Sequence, residues 1–156
     1  MSEQKEHEST KPIPKGYYHI FAQNSGKALE CPLNKRDQGT QLQQNQFNGK
    51  QHQTFYFHPT KDGYYMIESL YNGLYWDIEK NSKDDWKALW LWGKHGGDNQ
   101  LFRIDTVGDG LVRIVAKHSG KVIDVKHNSG ENAAPMIQYT YHGQDNQLFR
   151  IVKPML

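Results

Sequence analysis

The chain has 156 residues and balances 19 basic against 17 acidic side chains, for a formal net charge of +2. With 36% hydrophobic and 12% aromatic residues it has enough apolar surface for a core, and its length predicts a single domain. It has no run of Lys and Arg typical of a nucleic-acid surface, and no apolar stretch near the about 20 residues that span a bilayer. Because the start also lacks the apolar centre of a secretory signal, we expect a soluble protein that is cytoplasmic or released without a signal peptide.

The first 15 residues contain three Lys, three Glu and two Pro and almost no apolar side chains. Such a composition cannot bury enough apolar surface to fold. We therefore predict that residues 1–15 form a flexible polar tail and that the folded domain covers residues 16–156.

Residues 16–156 divide into three repeats of 47 residues without a gap, at 16–62, 63–109 and 110–156. Self-similarity at a fixed period indicates a repeated supersecondary unit. Seven columns are identical in all three repeats: Gly16/Gly63/Gly110, Ile20/Ile67/Ile114, Gly26/Gly73/Gly120, Asn34/Asn81/Asn128, Gly49/Gly96/Gly143, Gln53/Gln100/Gln147 and Phe55/Phe102/Phe149.

Each repeat reads as four short β-strands. In the first repeat they are GYYHIF at 16–21, KALEC at 27–31, TQLQQ at 40–44 and QTFYF at 53–57, which alternate in polarity between turn residues. Asp-Gly steps at 62–63 and 109–110 mark turns where repeats join. Propellers close with roughly 4–8 blades, so three repeats favour another closure. The prediction is an all-β fold of twelve strands with pseudo-threefold symmetry, in which a barrel is capped by hairpins.

The repeats resemble a known family. Two of them end in GGDNQLF (96–102) and GQDNQLF (143–149), and an acidic residue follows the Ser-Gly-Lys motifs in SGKALEC (25–31) and SGKVIDV (119–125). This pattern resembles the ricin-type β-trefoil lectin domain, whose repeats carry a Gln-x-Trp signature. Phe replaces Trp in all three repeats here. The resemblance covers residues 16–156 and implies a β-trefoil that binds sugars, usually galactose or N-acetylgalactosamine, without catalysis.

The resemblance also implies which residues contact the sugar. In the family an acid after the second strand accepts hydrogen bonds from hydroxyls, an aromatic ring on the third strand stacks on the C–H face, and an Asn precedes the signature Gln. These positions are Asp77, Trp92, Asn99 and Gln100 in the second repeat, and Asp124, Tyr139, Asn146 and Gln147 in the third.

The first repeat departs from this pattern. The same columns hold Glu30, Asn45 and His52, so the stacking ring is missing and the acid is one methylene longer. A Gln that the family often has two residues before the aromatic is kept as Gln43 in this repeat alone. We expect two competent sites and a weak or degenerate first one.

Other residues have simpler interpretations. Because Gln53 persists in the degenerate repeat, the signature Gln is expected to tie its loop to backbone groups, and the repeated Asn column is interpreted as structural too. Cys31 lies in an apolar column and predicts a small buried side chain. The eight His show no metal-ligand spacing, so no metal or cofactor is expected. Trp86 stands alone in the column of Gly39 and Ala133, and it could extend the second site, form a subunit contact or fold back on its own loop.

These patterns predict a non-catalytic, multivalent lectin, an agglutinin whose partners are galactose- or N-acetylgalactosamine-containing glycans. A homodimer would double its sites. The two acids lie in different repeats and do not suggest the carboxylate pair of a glycosidase. Two alternatives stay open: a trefoil protease inhibitor or protein-interaction module, and a targeting module of a toxin or glycosidase.

Overall fold

The computed structural model of the protein describes residues 12–155. Within that range the chain forms thirteen β-strands and five 3-10 helices of three residues each. The strands are β1 (Gly16–Ala22), β2 (Ala28–Glu30), β3 (Thr40–Gln41), β4 (Gln43–Asn45), β5 (Phe55–Pro59), β6 (Tyr65–Ser69), β7 (Tyr75–Ile78), β8 (Leu89–Trp92), β9 (Phe102–Gly108), β10 (Leu111–Ala116), β11 (Val122–Val125), β12 (Met136–Tyr139) and β13 (Phe149–Val152). The helices are η1 (Gln51–Gln53), η2 (Glu79–Asn81), η3 (Asp98–Gln100), η4 (Lys126–Asn128) and η5 (Asp145–Gln147). None of the helices described has the length and apolar character to cross a membrane.

The first and last strands of the three repeats close a six-stranded antiparallel barrel. Strand β1 pairs with both β13 and β5, β6 pairs with β5 and β9, and β10 pairs with β9 and β13, which completes the ring. Because the barrel is closed, each of these six strands has a paired neighbour on both sides. The two middle strands of each repeat form a hairpin beside the barrel, as β2–β4, β7–β8 and β11–β12. This architecture is a β-trefoil, and it confirms the predicted all-β fold with pseudo-threefold symmetry.

The thirteenth strand arises in the first repeat. Thr40 and Gln41 pair with β8 of the second repeat, whereas Gln43–Asn45 pair with β2, so one predicted strand is divided between two partners. The equivalent segments of the other repeats make single bridges, Ala88 with Ile137 and Pro135 with Gln43. Proline has no N–H to extend such a pairing. Each third strand therefore touches the hairpin of the next repeat, and this contact matters for the sites described below.

The core is built from the repeated columns. Phe55, Phe102 and Phe149 are fully buried, as are the isoleucines of the Ile20/Ile67/Ile114 column. Trp76 lies between two of these rings, edge-on at 5.5 Å from Phe55 and 5.8 Å from Phe102. Edge-to-face contacts of this kind stabilise by about 0.5–1.5 kcal/mol beyond the area they bury. The Phe that replaces Trp in the family signature is thus a core residue.

Residues 1–11 of the predicted tail lie outside the described residues. The remainder of the tail contacts the barrel: Ile13 is half-buried, its N–H donates to the Tyr65 hydroxyl at 2.7 Å, and the Tyr18 hydroxyl donates to the Pro14 carbonyl at 2.6 Å. Ile13 and Pro14 of the predicted tail therefore pack against the barrel.

The repeated asparagines have a backbone role. Asn34, Asn81 and Asn128 have φ angles of 66°, 57° and 54°, in the left-handed region that most side chains avoid. Asparagine tolerates this region better than other non-glycine residues. The identical column therefore reflects a turn geometry common to the three repeats.

Candidate functional site

The signature glutamine joins each hairpin to the loop before the next barrel strand. Gln53, Gln100 and Gln147 are fully buried, and each donates from Nε2 to the acid of its own repeat at 2.9 Å. In each repeat Oε1 of the same amide accepts hydrogen bonds from two loop N–H groups. The glutamine therefore lies behind the acid and fixes it relative to the loop. The loops and hairpins of the second and third repeats enclose clefts, which we call the second and third clefts.

The second cleft has a volume of about 750 Å³ and is lined by Asp77, Lys80, Asn81, Lys83, Trp90, Trp92, His95, Gly97, Asp98, Asn99 and His118. All four residues predicted for this repeat lie together, with three of them on the wall and Gln100 behind. Trp90 and Trp92 are stacked, with ring centroids 5.1 Å apart and planes at 20°. Residues two apart on a strand face the same side, which is why β8 presents both rings to the cleft.

The carboxylate of Asp77 is 3% exposed and is held by four side chains. Oδ1 accepts from Trp90 Nε1 at 2.7 Å and from Asn99 Nδ2 at 3.2 Å. Oδ2 accepts from Gln100 Nε2 at 2.9 Å and from His95 Nε2 at 3.1 Å. The Gly97 N–H donates to His95 Nδ1, which places the ring proton on Nε2. The position that carries the family's Gln is thus filled by Trp90, whose indole N–H bonds the same acid.

The third cleft is smaller, at about 190 Å³, and is lined by Trp86, Asp124, His127, Asn128, Tyr139, His142, Gln144 and Asn146. Asp124 is also 3% exposed, but in residues 12–155 its one well-formed hydrogen bond comes from Gln147 Nε2. His142, the counterpart of His95, lies farther away, with Nε2 3.8 Å from Asp124 Oδ2. Ile137 takes the place of Trp90 and has no polar group to donate. The carboxylate of Asp124 therefore has unused acceptor capacity.

Burial raises the pKa of Asp124 to about 6, and the charge of Asp85 adds to this increase. The Gln147 amide, His142 and Asn146 oppose it, and they only partly offset the loss of water around the carboxylate. A carboxyl group with this pKa changes charge near neutral pH. The charge of the third cleft therefore depends on pH.

Trp86 belongs to the third cleft, although it is part of the second repeat. Its ring lies 4.9 Å from Tyr139 and 5.3 Å from His127, and its backbone N–H donates to the backbone carbonyl of Gln138 at 3.0 Å. A subunit contact of Trp86 stays a prediction, whereas the other two placements considered from the sequence are wrong, since Trp86 lies neither at the second cleft nor folded back on its own loop. The reason is that the loop before each third strand crosses to the next repeat, as the bridge from Ala88 to Ile137 shows. The equivalent Gly39 lies against the second cleft, where an added Cβ would be 3.6 Å from Trp90.

In the first repeat, side chains of the repeat itself surround the acid at the equivalent position. Glu30 is 2% exposed and accepts from Gln43 at 2.7 Å and from Gln53 at 2.9 Å. His52, in the column of Asn99 and Asn146, is 2% exposed and lies 3.2 Å from Glu30 Oε1. Asn45 offers no ring. The carboxylate of Glu30 is enclosed by protein donors.

Cys31 is buried in the core as a free thiol. Burial, with the nearby charge of Glu30, raises the pKa of the Cys31 thiol to about 11, so this side chain stays protonated in the core. In the described part of the chain no three His, Cys, Asp or Glu residues cluster as metal ligands would.

Three trefoil repeats, each with a glutamine-anchored acid, and two aromatic clefts define a lectin-type β-trefoil domain. The chain belongs to the ricin-type β-trefoil lectin domain-like family, whose model matches residues 8–92 and 98–155. Membership of this family supports carbohydrate binding. No curated protein matches the chain in sequence.

Solved structures share the fold. The designed three-fold symmetric protein ThreeFoil is 36% identical, with a TM-score of 0.86 over 88% of this chain and 98% of its own. An exo-β-1,3-galactanase from Clostridium thermocellum is 30% identical, with a TM-score of 0.85 over 91% of this chain, which spans 31% of the enzyme. A ricin B-like lectin from Macrolepiota procera, solved with lactose, is 15% identical, with a TM-score of 0.79 over 92% of this chain and 99% of its own. At that identity the likeness concerns the fold.

Proposed function

We propose that this protein is a non-catalytic lectin that binds galactose- or N-acetylgalactosamine-containing glycans through its second and third clefts. The observation that carries the proposal is the buried carboxylate of Asp124, which has spare acceptor capacity beside the half-buried ring of Tyr139. A pyranose presents hydroxyls on its rim and C–H groups on one face, so it fits a carboxylate next to an aromatic surface. The lactose bound by the Macrolepiota procera lectin is a ligand of this class.

In the third cleft, two hydroxyls of the sugar would donate to Asp124 while the ring packs on Tyr139. Trp86 stands at 74° to Tyr139 and would form a second wall against the sugar edge. Hydrogen bonds to an ionised acceptor are about twice as strong as neutral ones. Asn146 and Gln147 would act mainly by holding the loop and the acid in place.

In the second cleft, the sugar would pack on Trp92 and its neighbour Trp90. Because Asp77 already has four donors, a hydroxyl would replace one of them, and the half-exposed His95 is the most accessible. The first repeat is proposed to be inactive because Glu30, Gln43 and His52 satisfy one another.

Two clefts on one rigid domain make the protein bivalent, and a homodimer would make it tetravalent. Single shallow sugar sites bind weakly, because association itself costs several kcal/mol. Linked sites can raise apparent affinity by about 10²–10⁴ on a surface dense in glycans. We therefore propose that the protein acts as an agglutinin.

Calorimetric titration with lactose tests the assignment. The variants are Asp77→Asn, Asp124→Asn and their combination, with Glu30→Gln as the matched control in the inactive repeat. We expect about two sites in the wild type and the control, one in each single variant and none in the double variant. Full binding by a folded double variant would disprove the site assignment. If no saccharide binds, and a cysteine or serine protease is inhibited instead, the inhibitor alternative is correct.

A further inference from the structure

The acids of the two clefts differ in how many of their hydrogen-bond acceptor sites are free. A carboxylate has about four lone-pair sites, and in the second cleft all four of Asp77 face donors from Trp90, Asn99, Gln100 and His95. Asp77 is therefore chiefly the anchor of the cleft wall. Its bond to Trp90 Nε1 fixes the indole in the stacked position beside Trp92. A ligand of the second cleft can bond to Asp77 only by displacing one of these donors, so further polar recognition must come from other groups.

The aromatic surface of the second cleft is open on the side of the preceding repeat. Gly39 lies there, where the third cleft has the ring of Trp86. The stacked Trp90–Trp92 pair thus offers an aromatic platform with no second ring opposite it, and the cleft is about 750 Å³ against about 190 Å³ for the third. It has room for a sugar with a substituent or a second residue.

The polar rim of the second cleft is basic. Lys80 and Lys83 line it, and neither forms a salt bridge with any residue of 12–155. The third cleft has His127 and Gly130 in the same columns.

The acids of the second cleft offset only part of this charge. Asp98 is paired with Lys117 at 3.5 Å. The four donors to Asp77 are neutral, so its buried carboxylate balances one of the two lysines and the rim keeps a net positive charge.

We propose that the second cleft selects acidic saccharides, namely galactosides that carry a sulfate or a carboxylate. The sugar ring packs on the Trp90–Trp92 platform, and the anionic group is bound by Lys80 and Lys83. This inference rests on the proposed function and adds a ligand class for one of its two clefts. The third cleft, which lacks the lysines and is bounded by Trp86, takes the neutral terminal sugar.

The test uses the full chain with Asp124→Asn, so that binding to the second cleft is measured without binding to the third. Lactose, 3′-sulfated lactose and 3′-sialyllactose are titrated at low and at physiological salt. We expect the two acidic ligands to bind about tenfold more tightly than lactose at low salt, with a smaller difference at higher salt. Adding Lys80→Gln and Lys83→Gln should abolish the difference between the acidic ligands and lactose.

Lys50→Gln with Lys61→Gln is the matched control, because it removes the same charge from two exposed lysines that do not line the cleft. It should keep most of the preference. Equal affinity for neutral and acidic ligands, or a preference that survives the Lys80 and Lys83 substitutions, overturns the inference. A preference for the sulfated ligand alone, or for the sialylated one alone, supports the inference and identifies the anionic group that the cleft selects. Lactose binding by the wild type, with its Asp124 intact, shows separately whether the proposed function holds.

Discussion

The ring of Trp86 stands 4.9 Å from the ring of Tyr139 at an interplanar angle of 74°, although the two residues belong to different repeats. Trp86 reaches this position with φ of 77°, in the left-handed region, where a bulky side chain is strained by about 1–3 kcal/mol. The column holds Gly39 at φ of 88° and Ala133 at 66°, so the loop geometry is common to all three repeats. From the strained and half-exposed position of this large side chain we infer that Trp86 contributes to binding.

Replacing Trp86 with Gly should therefore separate binding from stability. We expect the affinity of the third cleft for lactose to fall about 5–15-fold, as one aromatic contact is lost. The free energy of unfolding should stay the same or rise by about 1 kcal/mol, because glycine accepts the positive φ. Calorimetry and thermal unfolding measure the two effects. Ala133→Gly is the control, since it changes the equivalent loop without touching the third cleft; an equal loss of affinity there would refute the role of Trp86.

Lactose binding to the third cleft should weaken as the pH falls. Hydroxyls donate more strongly to Asp124 while it is ionised, and the pKa of this group is raised to about 6. At pH 5 roughly a tenth of the molecules would carry the charge, so affinity should be about tenfold lower than at pH 7. His142→Gln removes a charge that lowers this pKa and should move the midpoint upward. A flat profile from pH 5 to 7 would contradict the assignment.

The same group should influence stability. Its folded pKa lies above the unfolded value of about 3.9, so its contribution to stability is present below pH 4 and is lost as the pH rises through 6. Relative to Asp124→Asn, the wild type should lose about 2–3 kcal/mol of unfolding free energy between pH 4 and pH 7. Denaturant titrations of both proteins at the two pH values give this difference directly, and its absence would show that the carboxylate is better solvated than its burial indicates.

Trp90 is expected both to stack on the saccharide and to anchor Asp77, and two substitutions should separate these roles. Trp90→Gln keeps a donor for Asp77, as Gln43 shows by donating to Glu30 at 2.7 Å, but removes the stacked platform. It should retain stability within about 1 kcal/mol and lose most of the saccharide affinity of the second cleft. Trp90→Phe keeps a ring but leaves Asp77 without its 2.7 Å donor, and it should be the less stable variant by about 1–3 kcal/mol. The reverse order of stability would contradict the anchoring role of Asp77.

The signature glutamine should matter for folding even where no sugar binds. Gln53→Ala removes two bonds to loop N–H groups and one donor to the buried Glu30. We expect a loss of about 2–4 kcal/mol, similar to that of Gln147→Ala in the third repeat. Of these two variants, only Gln147→Ala should reduce lactose binding. Denaturant unfolding with parallel titrations tests this pairing, and a stable Gln53→Ala protein would argue against a structural role.

The sequence by itself was sufficient to predict the fold. Spacing of 47 residues, alternating strands and the Gln and Phe columns predict a β-trefoil, because each repeat has the same local pattern and the same neighbours. The acid of each repeat was also predictable. The thirteenth strand was not, since Thr40 and Gln41 pair with the following repeat, and no local pattern reports a pairing partner.

The tertiary structure decided how the three acids differ. Asp77 is saturated, Asp124 is partly free and Glu30 is enclosed, although the three occupy one column. These differences arise from side chains that reach the acid from other strands and loops, such as Trp90, His95 and His52. Trp86 acts in the neighbouring repeat because strand pairing carries its loop across the boundary. Periodicity records what is common to the repeats, whereas hydrogen-bond saturation depends on distances of a few tenths of an ångström that only the packed chain sets.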